Sequence, residues 1–191
     1  MKYCPRIILI ICVISLASLV RAEPKVIIKY DYYDIRGNSA NELRQQMNRF
    51  GIKWTNGKTY DAFTSWRVRW NYQYNASERG CAIRSVATTV HIVYRMPRWI
   101  NYASAPYDLR DRWDIYIRAL KVHEDGHRDF GIKAATEIER AIAVMTPRKT
   151  CEELGEEANG LGYRILEKYA NEEKEYDART NFGETQGAIF P

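Results

Sequence analysis

The sequence predicts an α+β domain in which a small antiparallel sheet from the N-terminal half packs on a long helix and on further C-terminal helices. Two observations predict this fold class. Residues 64–74, TSWRVRWNYQY, alternate between large apolar and polar side chains, as in a strand with one buried face. Residues 107–145 place apolar side chains at helical spacing instead, and a segment rich in Glu and Lys follows at 150–174.

The elements of the first half each have a local signal. Strands are predicted at 26–35, 64–74 and 81–96, where β-branched and aromatic residues are frequent. A helix is predicted at 39–51, because Ser39 and Glu42 have the spacing of a capping box and Gly51 suits a helix C-terminus. The first half therefore contains one helix among three strands.

The second half is predicted to be helical up to its tail. A long helix covers 107–145 and ends before Pro147, and Gly131 is expected to bend or divide it. A further helix is expected at 150–174. The tail at 176–191, YDARTNFGETQGAIFP, is rich in Gly and polar residues, which favours irregular structure.

The first 22 residues have the three-part layout of a secretory signal peptide. MKYCPR is positively charged, a fourteen-residue apolar run follows, and small residues precede Glu23. A membrane anchor is the alternative, but a span needs roughly 20 apolar residues. We expect cleavage after Ala22, a single mature domain at 23–191 without a stable membrane anchor, and a periplasmic or secreted location.

The charge of the mature chain does not favour nucleic acid as a partner. The full sequence has 29 basic and 24 acidic side chains, a net charge of +5. Lys2, Arg6 and Arg21 leave with the signal peptide, which lowers the net charge to +2. A basic nucleic-acid-binding face is therefore not expected.

Cysteine usage agrees with export. Cys4 and Cys12 lie in the signal peptide, so Cys81 and Cys151 remain in the mature chain. In an oxidising compartment this pair is expected to form a disulfide, with two free buried thiols as the alternative.

The stretch KVHEDGHRDF, residues 121–130, contains two of the three histidines of the chain. His123 and His127 are four residues apart in the predicted long helix, so both imidazoles lie on one face and can bind one Zn²⁺ ion. Glu124 then lies beside the metal, where it can take a proton from water and deliver it to a leaving amine. The alternative is two core histidines with a surface glutamate.

Four stretches resemble a known bacterial family. They are YDIRG near residue 32, YDAFTSWRVRWNY at 60–72, the VHEDGHRDFG helix, and YDARTNFGETQGA at 176–188. The chain resembles secreted proteins grouped as a domain of unknown function, family 922, and described as predicted zinc-dependent proteases. The resemblance implies a zincin-like fold and site, with His123 and His127 as zinc ligands and Glu124 as the catalytic base.

The sequence does not identify a single third ligand for the predicted zinc site. The tail motif of relatives usually reads T-x-H-G, and Phe182 stands at the histidine position here. The preferred candidate is Asp177, because it lies in a resembling motif that is expected to be outside helical structure. The other candidates are Glu184, the Glu residues between 137 and 157, and His91.

Two functional hypotheses follow. The first is a secreted zinc hydrolase of peptide or protein substrates, in which an exposed strand edge holds the substrate and Tyr176 or Tyr163 stabilises an oxyanion. An amide in cell-wall peptide is a further substrate candidate. The second hypothesis is a catalytically silent periplasmic binding or structural protein on the same scaffold, which Phe182 favours.

Overall fold

The chain is described by a computed structural model that covers residues 23–55 and 57–190. The strands are β1 (Lys25–Ile35), β2 (Ile52–Lys53), β3 (Thr59–Tyr60), β4 (Phe63–Ser77) and β5 (Gly80–Trp99). The helices are α1 (Ala40–Phe50), α2 (Tyr107–Ala143) and α3 (Cys151–Thr180), with short 3₁₀ turns at Tyr102–Ser104 and Glu184–Gln186. This confirms the predicted α+β class, while the β2–β3 hairpin was not predicted. The expected signal peptide at residues 1–22 lies outside the described residues.

The sheet has three strands in the order β1-β5-β4, and it is mixed rather than antiparallel. β4 pairs antiparallel with β5, as expected for two strands joined by a tight turn. β1 runs parallel to β5, so the prediction of an antiparallel sheet is wrong for this strand. The alternation of side chains predicts a strand but not its direction. β1 can run parallel to β5 because β4 lies between them in the sequence: α1 and the β2–β3 hairpin lead from the end of β1 to the start of β4, and β4 returns the chain to the other end of the sheet, where β5 begins.

Helix α2 packs its apolar stripe on β4 and β5 and against α3. It runs unbroken through Gly131, so the expected bend or division is wrong. Gly131 instead gives room for Trp66 of β4, because an added Cβ would lie 2.7 Å from the Trp66 Cβ. The close approach of helix and strand is the reason for a glycine in the middle of this helix.

Helix α3 extends further than predicted, and it includes the first five residues of the tail. It ends where Asn181 and Phe182 adopt positive φ angles of 48° and 52°. The Phe182 N–H donates to the Asp177 carbonyl at 2.9 Å, which closes the last turn. The polar composition that predicted irregular structure is overridden by tertiary packing, because Tyr176 in this segment stacks on His123.

A disulfide joins Cys81 in β5 to Cys151 at the start of α3, as the sequence predicted. Backbone hydrogen bonds between Cys81 and Arg148, at 2.8 and 2.9 Å, hold the same junction. None of the helices within the described residues is long and apolar enough to cross a membrane.

Candidate metal site

The middle of α2 presents His123, Glu124 and His127 towards the interior. Their exposed fractions are 4 %, 3 % and 8 %, so none of them is a solvated surface residue. The two imidazoles lie on the same face of α2, because the two histidines are about one helical turn apart. The alternative that Glu124 is a surface carboxylate is therefore wrong.

Asp177 of α3 meets both imidazoles. Its Oδ1 atom lies 3.1 Å from His127 Nε2 and 3.4 Å from His123 Nε2, and the two Nε2 atoms are 3.3 Å apart. Ligands at about 2.0–2.1 Å from a tetrahedral zinc ion lie about 3.3–3.4 Å from one another. The three atoms are thus already spaced as three ligands of one ion, and the group could hold a metal.

The outer nitrogen of each imidazole is held by an oxygen acceptor. His127 Nδ1 lies 2.8 Å from Glu173 Oε1, and His123 Nδ1 lies 2.9 Å from Gln186 Oε1. Each contact favours the tautomer with its proton on Nδ1, so the Nε2 lone pairs point at Asp177. Partners of this kind orient the histidine ligands of metal sites.

These tautomers leave three acceptor atoms facing one another. As long as both Nε2 atoms are unprotonated, the buried Oδ1 atom of Asp177 has no hydrogen-bond donor among the described residues. Three acceptor atoms that face one another repel each other, and a cation or a proton bound between them removes this repulsion.

Without a metal, a proton takes this place. Burial alone would lower the pKa of His127, but hydrogen bonds to Asp177 and Glu173 outweigh burial and raise that pKa to about 10. Burial would raise the pKa of Asp177, but its close contacts with the His123 and His127 imidazoles lower that pKa to about 2. The site therefore attracts positive charge strongly.

Glu124 is fixed from the sheet side. Thr64, near the start of β4, donates from its hydroxyl to Glu124 Oε2 at 2.6 Å. Burial raises the pKa of Glu124, and the hydrogen bond from Thr64 and the nearby histidines offset only part of that rise. A buried carboxyl with a raised pKa beside the cluster suits proton transfer.

Gly126 allows Tyr176 to reach the cluster. An added Cβ at Gly126 would lie 2.3 Å from the Tyr176 hydroxyl oxygen, so the ring occupies the space that a side chain would need. The Tyr176 ring stacks on His123 with centroids 5.1 Å apart. Its hydroxyl donates to the His123 carbonyl at 3.1 Å and also contacts Gln186. These contacts make Tyr176 a support for His123.

The structure brings together only part of the predicted set. The preference for Asp177 gains support from its position, although its predicted reason was wrong, since Asp177 lies within α3. Tyr163 is exposed and packs on Trp70, about 21 Å along the helix from Asp177. It is therefore too far away to act as the oxyanion donor that the sequence suggested.

The other candidates for the third ligand lie elsewhere. His91 alternates with the buried Val90 and Ile92 along β5, so it points to the opposite face of the sheet. Glu184 is exposed and accepts a hydrogen bond from Asn181.

Two of the glutamates between 137 and 157 accept hydrogen bonds from residues outside the site. Glu139 is buried, but it accepts from the Thr88 backbone and hydroxyl, about 18 Å along α2 from His127. Glu137 accepts from Lys168 and Tyr169. Neither carboxylate belongs to the His-His-Asp group.

Phe182 adopts a left-handed backbone conformation and packs on Tyr60 with ring centroids 5.2 Å apart. The next residue, Gly183, lies against His123, since an added Cβ there would be 2.9 Å from the imidazole Cγ. The tail therefore borders the site through this glycine.

Three supporting residues were missed by the sequence analysis. Glu173 precedes Asp177 by one helical turn, and this spacing would have indicated a shared face if the helix had been predicted to continue. Gln186 and Thr64 carry no comparable signal, because their contacts depend on the packing of distant segments.

The fold and the site together define an α+β protein with a His-His-Asp group between two long helices. The chain belongs to the family described as bacterial protein of unknown function (DUF922), which matches residues 30–184. This confirms the family suggested by the sequence motifs, and it assigns no activity. No curated protein and no solved structure matches the chain, so the zincin-like part of the predicted fold stays a prediction.

Proposed function

We propose that the protein is an exported zinc-dependent hydrolase that cleaves peptide bonds, with Glu124 as general base. One observation carries the proposal. Three acceptor atoms of His123, His127 and Asp177 face one another at ligand spacing, and a buried carboxyl with a raised pKa lies beside them. Together they have the parts of a hydrolytic metal site.

The residues fit zinc in chemistry and in number. Two imidazole nitrogens and one carboxylate oxygen form a ligand set that catalytic zinc sites use, and three protein ligands leave one position open. Of these side chains, Asp177 is 28 % exposed and His123 is 5 % exposed, so the Asp177 side of the group lies nearest to solvent. The proposal therefore places the open position, and the approach of water and substrate, on this side.

A zinc ion in this group would supply Lewis acidity, which polarises a substrate carbonyl and lowers the pKa of water. Glu124 accepts a proton from the attacking water and later delivers it to the leaving amine, and its raised pKa suits both steps. Thr64 keeps the carboxylate oriented through its hydrogen bond. Glu173 and Gln186 keep the imidazoles oriented through theirs.

An extended peptide is the substrate class that the neighbouring sheet favours. Among the described residues, β4 pairs with β5 alone, so its other edge offers free backbone groups. The same strand carries Thr64, so a peptide added to this edge would run close to Glu124. An amide in cell-wall peptide fits the same requirement.

The cellular setting that we propose is periplasmic or secreted. The Cys81–Cys151 disulfide is typical of an oxidising compartment, and residues 1–22 have the pattern of a signal peptide. The near-neutral charge of the mature chain does not favour nucleic acid as a partner, and cleavage of the signal peptide would leave the mature chain without a stable membrane anchor.

A catalytically silent binding or structural protein is the alternative. Phe182 favours it, because the family resemblance implies a histidine at this position of the tail motif and a phenyl ring can neither bind metal nor donate a proton.

Zinc analysis of the purified mature protein separates the two. We expect about one zinc per chain in the wild type and almost none in His127→Ala. Glu124→Gln keeps an acceptor for Thr64, so this variant should retain the fold and zinc but lose hydrolysis of a peptide library. Zinc below a tenth of an equivalent in the wild type would refute the enzyme proposal, and full zinc without hydrolysis would favour the silent alternative.

A further inference from the structure

Four aromatic rings form a continuous cluster on the surface. Trp54 meets Tyr60 and Phe63 with ring centroids 6.0 and 5.0 Å apart. Tyr60 meets Phe182 at 5.2 Å. We call these four residues the aromatic wall. They come from the β2–β3 hairpin, the start of β4 and the segment after α3, so only the fold brings them together.

Much of the aromatic wall is in contact with solvent. Trp54, Phe63 and Phe182 are 44 %, 36 % and 42 % exposed. Single exposed apolar side chains are common, but several in mutual contact indicate a binding surface.

The aromatic wall adjoins the candidate metal site at two points. Phe63 directly precedes Thr64, whose hydroxyl holds Glu124. Phe182 directly precedes Gly183, which lies against the His123 ring. One end of the wall is thus next to the proposed base and the other is next to a proposed ligand.

The backbone at Phe182 supports a functional role for the ring. Its φ angle of 52° is in the left-handed region, where glycine and asparagine are at ease and a phenylalanine is uncommon. An aromatic residue held in this conformation and left 42 % exposed contributes little to the core. Strained backbone of this kind is frequent at binding sites.

We propose that the aromatic wall is a substrate subsite that accepts a large apolar side chain, such as Phe, Tyr, Leu or Met, next to the bond that is cleaved. This inference rests on the proposed peptidase function and specifies its substrate class. The wall rings meet at interplanar angles of 81°, 64° and 46°, so faces and edges are both available to a further ring or an aliphatic chain. They do not form a flat platform of parallel rings for a sugar.

The charge beside the wall agrees with an apolar occupant. The four wall side chains carry no charge at neutral pH, and the Lys58 ammonium lies 5.8 Å from the centre of the Phe182 ring. The wall side chains themselves therefore offer a charged substrate side chain no ion-pair partner.

Cleavage of a randomised peptide library by the zinc-loaded protein tests the proposal. We expect large apolar residues to be enriched roughly tenfold at one position beside the cut, since burial of such a side chain favours binding by at least that factor. Phe182→Asn keeps a residue that tolerates positive φ, and Phe63→Ser keeps a strand residue. Both variants should lose the enrichment and retain zinc. The control Tyr107→Ala removes an aromatic residue that is 78 % exposed at the start of α2, and it should leave the enrichment intact.

Binding measurements separate failure of the subsite from failure of the proposed function. Calorimetry with the zinc-loaded Glu124→Gln variant compares two peptides that differ only by Phe or Ser at the selected position, or at each position in turn if no cleavage occurs. We expect the Phe peptide to bind roughly tenfold more tightly, and the difference to vanish with Phe182→Asn.

Equal binding of the two peptides overturns the subsite, as does library cleavage with no apolar enrichment or with enrichment that both wall variants keep. If the Glu124→Gln variant prefers the Phe peptide but the zinc-loaded wild type cleaves no peptide of the library, the subsite is supported and the peptidase function is overturned. Tighter binding of a chitin oligosaccharide than of the Phe peptide overturns the proposal in favour of a glycan site.

Discussion

Replacing Gly126 with alanine is expected to destabilise the protein, although alanine normally stabilises a helix. An added Cβ would lie 2.3, 2.4 and 2.7 Å from the hydroxyl oxygen, Cζ and Cε1 atoms of Tyr176. The ring cannot simply turn away, because it stacks on His123 and its hydroxyl is hydrogen-bonded to the His123 carbonyl. The Tyr176 ring must therefore shift together with its neighbours.

The magnitude follows from three terms. Alanine is favoured over glycine in a helix interior by about 1 kcal/mol. Overpacking a well-filled site costs about 1–3 kcal/mol, and losing the Tyr176 hydrogen bond costs about 1 kcal/mol. We therefore expect Gly126→Ala to lower the free energy of unfolding by about 1–3 kcal/mol.

Urea unfolding of the metal-free protein measures this change, and Gly160 of α3 supplies a matched control. An added Cβ at Gly160 would meet only the Arg164 Nη1 atom, at 3.4 Å, so Gly160→Ala should stabilise the protein by about 0.5–1 kcal/mol. Zinc affinity should fall in Gly126→Ala, because His123 loses its stacked support, and should not change in Gly160→Ala. If both variants are more stable than the wild type, the close packing of Tyr176 on Gly126 is refuted.

Two further predictions concern the disulfide and the charge of the site. Replacing both Cys81 and Cys151 with serine should lower the free energy of unfolding by about 4 kcal/mol, because the bond closes a loop with a sequence separation of 70 residues. Guanidinium unfolding of the variant and of the oxidised wild type measures this loss, and equal midpoints would contradict it. Zinc affinity should rise by up to about tenfold per pH unit between about pH 6 and 9, since metal must displace the proton that His127 holds below its raised pKa of about 10. Competition with a chromophoric chelator checks the slope, and affinity that does not change with pH would show that His127 is already neutral.

Local patterns predicted most of the fold. The alternation at 64–74 and the helical spacing from Tyr107 correspond to β4 and α2 within a few residues. Ser39 caps α1 as its spacing with Glu42 indicated, accepting from the Glu42 N–H at 3.3 Å. These features depend on neighbours a few residues apart, so they can be predicted from the sequence.

Features that depend on distant partners were missed or wrong. The direction of β1 is set by its pairing with β5, more than sixty residues away in the chain. The last turns of α3 were predicted as irregular from composition, whereas packing of Tyr176 on Gly126 and His123 keeps them helical. Gly131 was expected to bend or divide α2, but the helix is continuous there and the glycine leaves space for the Trp66 side chain of β4.

The sequence by itself determined one half of the candidate site. The spacing of His123 and His127 places two imidazoles on one face of a helix wherever that helix packs, because one turn of helix fixes the distance between them. Only the tertiary structure decided the other half, by bringing Asp177 and Glu173 on α3 and Gln186 beyond it to the two rings. The i to i+4 geometry is local to the backbone, whereas the third ligand and the histidine tautomers depend on how two helices and the tail pack together.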